Sequence, residues 1–137
     1  MLLYRPVGEK ELRLIAAMLF RGFPPRPDHQ PIFYPVLERE YAVQIARDWN
    51  TADEVSGYVG WVTEFDVDDE FVCNYPVQIV GGRQHRELWV PAEELEEFNR
   101  HIIGEIRVPD VFVGPRFAGS LDPVSRLPTD LARERTG

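Results

Sequence analysis

Gly57-Tyr58-Val59-Gly60-Trp61-Val62-Thr63-Glu64-Phe65-Asp66-Val67 is the stretch that decides the fold class. Val59, Trp61, Thr63, Phe65 and Val67 fall at every second position, so an extended chain places all of them on one side. The segment just before it keeps a different period. From Glu38 to Trp49, the residues Tyr41, Ala42, Ile45, Ala46 and Trp49 recur at three- and four-residue intervals, which is an amphipathic helix stopping near Asn50. A helix followed directly by an alternating strand starts the case for a mixed architecture.

Reading outward toward the C-terminus, Asp68 to Asn74 turns the chain and Val77 to Val80 makes a second strand. Gly81-Gly82 then supplies tolerance of positive φ for a tight connection, and Gln84 to Val90 forms a third strand. Pro91 stands at a first helical position, with Leu95, Phe98 and Ile102 on the inner face of a short acidic helix that Gly104 ends. Ile106 to Val113 is a final strand interrupted at Pro109. Residues 114–137 carry little periodicity and read as a weakly packed C-terminal tail, with a short helix near Leu131.

Reading outward toward the N-terminus, Leu2-Leu3-Tyr4 is a short strand that Arg5-Pro6 stops, followed by a helix over residues 9–20. Leu12, Ile15, Ala16 and Leu19 mark its apolar face, while Glu9, Glu11 and Arg13 lie toward solvent. Between Gly22 and Leu37 the prolines 24, 25, 27, 31 and 35 forbid continuous regular structure, because each lacks an N–H and restricts the residue before it. Ile32-Phe33-Tyr34 is the one place in that loop for a short strand. A loop this long in a small domain is expected to border the principal pocket. The order of elements implies one α+β domain with a mixed, largely antiparallel sheet flanked by about three helices.

Composition restricts the function classes. At 137 residues and 44% hydrophobic, the chain can bury a core without disulfides or a structural metal, and Cys73 is its sole cysteine. The opening Met-Leu-Leu-Tyr-Arg-Pro lacks a basic segment leading into an apolar core. No apolar run approaches the ~18 residues of a membrane span, so a cytoplasmic protein with no membrane partner is expected. With 23 acidic against 15 basic residues the net charge is −8, which opposes a nucleic-acid partner. Asp66, Asp68, Asp69 and Glu70 form one acidic cluster and Glu93, Glu94, Glu96 and Glu97 another; both read as solvated surface. GxGxxG after a strand, GxxxxGK[ST] and HExxH are all missing, so these motifs support no phosphate loop and no metal site.

One strand carries chemistry. Alternation in His85-Arg86-Glu87-Leu88-Trp89-Val90 sets Leu88 and Val90 on one face and His85, Glu87 and Trp89 on the other, a carboxylate between an imidazole and an indole. The plain reading is an edge strand with Glu87 in water. The functional one needs a cation from elsewhere, for which Arg5, at the end of the first strand, is the candidate.

These residues carry a resemblance. Leu3-Tyr4-Arg5, Gly22-Phe23-Pro24-Pro25-Arg26, Gln30-Pro31-Ile32-Phe33-Tyr34-Pro35-Val36-Leu37, Tyr41-Ala42, Ile45-Ala46-Arg47-Asp48-Trp49-Asn50 and Gly81-Gly82 through Ile106 look like a family of small, mostly uncharacterised bacterial proteins. That family is labelled ADP-ribosylation/J-crystallin and resembles the ADP-ribosyltransferase fold. The likeness covers about residues 2–113, so it implies an ADP-ribosyltransferase-like domain over 1–113 with a cleft. The J-crystallin half of the label refers to much longer, all-helical glycohydrolases, for which this chain is too short and too rich in strands.

The resemblance implies NAD as substrate. Arg5 matches the first-strand residue that holds NAD, and Glu87 the late-strand carboxylate that engages the nicotinamide ribose. Tyr34, with Tyr41 as rival, is the candidate for the middle element. His85 stands two residues before the Glu, where protein-modifying members carry Gln or Glu, and Trp89 or Tyr34 is placed to stack on nicotinamide. The implied activity is transfer or hydrolysis of ADP-ribose, as a transferase or an NAD glycohydrolase, with an unknown protein or small molecule as acceptor. The alternative is a non-catalytic protein-interaction module on the same fold. A third reading, an RNA phosphotransferase consuming NAD, is opposed by the net charge.

Overall fold

Strand β1 (Leu2–Val7) leads into helix α1 (Glu9–Ala17), and the proline-rich segment contains β2 (Ile32–Phe33). Helix α2 (Arg39–Asp48) and a 3-10 turn at Asn50–Ala52 precede β3 (Val59–Val67), α3 (Asp69–Val72), β4 (Val77–Ile79), β5 (Arg86–Leu88) and β6 (Val90–Pro91). A second 3-10 turn at Ala92–Glu94 opens α4 (Leu95–Arg100), and β7 (Ile102–Val113) and α5 (Thr129–Thr136) complete the chain. This computed structural model describes residues 1–81 and 85–136. Gln84 and Gly82, which figured in the expected third strand and its turn, lie outside the described residues.

β3 is the central strand, paired antiparallel with β1 on one side and β7 on the other. Val59, Trp61, Thr63, Phe65 and Val67 are all buried, as their alternation predicts. The opposite face is covered too. Val62 packs with Val36, Ala42 and Ala46 beneath α2, whereas the larger core gathers Leu12, Ile15, Phe23, Phe33, Trp61, Phe65 and Phe98. Gly60 permits this second layer: a Cβ there would lie 2.7 Å from the Ala46 carbonyl oxygen and 2.9 Å from its Cα.

Both prolines expected to stop strands are accommodated instead. Tyr4 exchanges its backbone hydrogen bonds with Val36 on the side of β1 away from β3. Pro6 shares that orientation, so its missing N–H removes no bond of the β1–β3 ladder. Pro109 sits where Val62 and Glu64 of β3 face Asp110 and Arg107, an irregularity that needs no donor from it. β7 starts at Ile102, and Gly104, at φ +75°, belongs to this strand rather than ending the preceding helix.

Other boundaries moved for tertiary reasons. α1 ends at Ala17, because Leu19 and Phe20 adopt φ of 58° and 57° and turn Phe20 into the core, leaving Leu19 71% exposed. Pro91 ends β6 instead of opening α4, and the expected third strand breaks at Trp89 into β5 and β6. Five α-helices are found among the described residues: α5 is the short helix expected near Leu131, and the addition to the expected helices is the short α3, which Asp68 caps by accepting from the Phe71 N–H at 3.2 Å.

The described part of residues 114–137 is not a weakly packed tail. Leu127 and Leu131 are part of the large core, Ala132 is buried, and Phe117 and Leu121 pack against it. The Trp61 indole N–H donates to the Arg126 carbonyl at 2.8 Å, and the Arg13 guanidinium pairs with Asp130 at 2.7 Å. The segment binds through individual side chains rather than a periodic face. No helix among the described residues is long and apolar enough to cross a membrane.

Candidate functional site

A three-residue extended segment, Pro35–Leu37, joins the two halves of the sheet. Val36 bridges Tyr4 of β1 on one side and Glu87 of β5 on the other. The Leu37 N–H donates to the Arg86 carbonyl at 3.0 Å and the Leu88 N–H to the Pro35 carbonyl at 2.9 Å. Beyond Val36 the strands part company: β1 continues along β3, while β2 pairs with β6. The residues that follow on each side, Arg5 to Val7 and Glu87 to Trp89, consequently border an opening in the sheet rather than each other.

That opening is a cavity of about 750 Å³, within the size range of small-molecule and cofactor sites. Arg5, Tyr34, Glu87 and Trp89 line it, together with Pro24 to Pro27, His29 and Gln30 of the proline-rich segment. The loop is ordered because its aromatic residues belong to the core. Phe23 and Phe33 pack with tilted rings at 5.0 Å, and Asn99 clamps the loop by accepting from the Phe23 N–H and donating to its carbonyl, each at 2.9 Å.

Glu87 is 9% exposed, and each of its carboxylate oxygens is held. Tyr41 on α2 donates its hydroxyl to Oε2 at 3.1 Å, and the Trp89 indole N–H donates to Oε1 at 2.8 Å. Burial, and after it the Glu87 charge, pushes the Tyr41 hydroxyl up to about 12. Trp89 is 44% exposed and meets Tyr34 edge to face at 6.5 Å.

Arg5 is held by its own partners. Its Nε donates to Glu11 at 2.6 Å and its Nη2 at 2.9 Å, a bidentate pair, and Nη1 lies 3.4 Å from the Tyr34 carbonyl. The guanidinium also stands 4.8 Å over the Phe33 ring. Glu11, expected toward solvent, instead faces Arg5 and lines the cavity.

His85 is the predicted residue that does not join this site. It precedes β5, so strand alternation does not govern it. Its ring stacks on Tyr41 at 4.4 Å, with Nε2 3.4 Å from the Gln44 side-chain oxygen, in a separate depression beside α2. Its connection to Glu87 runs through Tyr41.

Sequence reasoning missed Glu11, Arg26, Trp49 and Asn50, which also line the cavity. Arg26 stands among prolines, and its burial, followed by the nearby Arg5 charge, draws its pKa below the usual arginine value. Trp49 fell on the apolar side of α2 by spacing, yet it is 60% exposed at the cavity. Comparisons of the chain with protein-family models, curated proteins and solved structures found no match.

Proposed function

We propose that the cavity binds NAD, or an ADP-ribose-containing ligand like it, and that the protein transfers or hydrolyses the ADP-ribose. The observation that supports this reading is convergence: Arg5, Tyr34, Glu87 and Trp89, chosen from separate parts of the chain, line one cavity. Trp89 and Tyr34 offer aromatic faces for a planar base, and Trp49 adds a third.

Cleavage of the nicotinamide–ribose bond leaves the electron pair on nicotinamide and develops oxocarbenium character on the sugar. Glu87 stabilises that charge as it appears, and Tyr41 and Trp89 hold the carboxylate in place beforehand. The nucleophile, water or a hydroxyl of an acceptor, bonds to the anomeric carbon and releases its proton to solvent.

A non-catalytic protein-interaction module is the second reading, and two observations favour it. Both oxygens of Glu87 and three nitrogens of Arg5 already have protein partners. Val77 and Ile79 on β4 are also exposed apolar residues. Incubating the purified protein with NAD and following free nicotinamide by chromatography separates the two. Release above the uncatalysed rate, abolished by boiling, is the expected result; NAD binding without release assigns the cavity to binding alone.

A further inference from the structure

Arg26 is a largely buried cation on the cavity wall. Its side chain is 13% exposed, its Nε is buried without a partner, and no hydrogen bond of its guanidinium occurs among the described residues. An arginine carries five N–H donors, and buried donors in folded proteins are nearly always satisfied. The nearest carboxylate is Glu11, whose Oε1 lies 3.9 Å from Nη1, near enough for attraction and too far for a hydrogen bond. Glu11 is already committed to Arg5 through both oxygens. Two guanidiniums thus share one carboxylate, leaving a positive charge and a free donor fork at the cavity wall.

The backbone around Arg26 is restrained in advance. Pro24, Pro25 and Pro27 fix φ on either side, and Pro27 confines Arg26 itself to extended conformations. None of these prolines has an N–H to compete for an incoming acceptor. A second lining residue repeats the pattern with opposite polarity: Asn50 donates to Ser56 at 2.9 Å, while its Oδ1 is buried without a partner. Of the two, Arg26 brings its unanswered cationic group to the cavity wall, complementary to a ligand with an oxyanion.

We propose that Arg26 is the oxyanion-binding residue of this cavity and receives the pyrophosphate of the ligand, with Arg5 a positioning residue that holds Glu11. The choice of pyrophosphate rests on the dinucleotide reading above; the existence of an oxyanion site at Arg26 does not. Arg5, suggested by resemblance as the NAD-holding residue, acts in this arrangement through its carboxylate partner.

Calorimetric titration of wild type, Arg26→Met and Arg26→Lys with inorganic pyrophosphate, ADP-ribose and malonate tests this, alongside the melting temperature of each ligand-free protein. Wild type is expected to bind pyrophosphate and ADP-ribose. Arg26→Met is expected to lose roughly 10- to 100-fold in affinity for both, the range for a hydrogen bond to a charged group. Its ligand-free melting temperature should stay at or above that of wild type, because an unsatisfied buried charge has gone. Arg26→Lys should recover only part of the affinity, having the charge without the planar fork. Unchanged affinity in Arg26→Met, a lower ligand-free melting temperature, no binding of pyrophosphate by wild type, or binding of malonate alone would each overturn the proposal. Arg26-dependent binding of pyrophosphate with no binding of ADP-ribose keeps the oxyanion site and removes the dinucleotide reading. ADP-ribose binding that ignores Arg26 does the reverse.

Discussion

Leu127→Ala tests whether residues 114–137 belong to the core. Leu127 is 4% exposed and packs in the same cluster as Leu12, Trp61 and Leu131. Its neighbour Arg126 accepts the Trp61 indole N–H at 2.8 Å, so the removed methyls lie beside a fixed point and the site has little freedom to collapse. Truncating a buried leucine costs about 2–5 kcal/mol, against a total stability of about 5–15 kcal/mol for a domain. At this chain length each kcal/mol moves the melting temperature by roughly 3–5 °C, so a fall of roughly 6–25 °C is expected. A side chain on a loosely attached tail would change stability by at most about 0.5 kcal/mol. The assay is thermal unfolding followed by circular dichroism, with urea unfolding as a second measure. A Leu127→Ala protein melting within about 2 °C of wild type would refute the packing argument, and with it the claim that residues 1–113 do not constitute the complete core.

Glu87→Gln should leave NAD affinity within a few-fold while lowering nicotinamide release by a factor on the order of 10²–10³, since one amide oxygen still accepts from Trp89 and the amide nitrogen can donate to Tyr41. Equal turnover in the two proteins would remove Glu87 from the chemistry. Tyr41 holds its proton up to about pH 12 when folded and to near pH 10 when unfolded. Its contribution to stability is thus intact below about pH 10 and lost as pH rises to about 12, and Tyr41→Phe should unfold less steeply across that window in pH-dependent urea melts. Parallel profiles would contradict this. Gly60→Ala should destabilise by about 1–3 kcal/mol, measured from the urea midpoint, because its methyl group would meet the backbone of Ala46. An unchanged midpoint would show that α2 sits less tightly on β3 than Gly60 implies.

Where periodicity was strong, sequence and structure agree: α2 and β3 lie where the three-to-four and two-residue spacings put them. The proline-rich segment borders the cavity, and its Ile32-Phe33 pair forms a strand, because burying Phe23 and Phe33 leaves the intervening polar residues to line an opening. What could not be read depends on contacts distant in sequence. The end of α1 is set by left-handed backbone at Leu19 and Phe20, stabilised by burial of Phe20. Alternation grouped His85 with Glu87 and Trp89, but the strand begins at Arg86 and His85 follows Tyr41 instead. The packing of Leu127 and Leu131 carries no repeat to reveal it. Arg26 was visible only as one arginine among many; its unsatisfied Nε emerges when Glu11 is seen to be engaged by Arg5.

The three tryptophans allow the central claim, ligand binding in this cavity, to be tested in one measurement with an internal control. Trp49 and Trp89 line the cavity, whereas Trp61 is fully buried and donates to Arg126 away from it. In a ¹⁵N–¹H correlation spectrum titrated with ADP-ribose, the indole signals of Trp49 and Trp89 should move progressively and saturate while that of Trp61 stays in place. Indole signals that all remain fixed at saturating ADP-ribose, or a response at Trp61 without one at Trp89, would contradict the account.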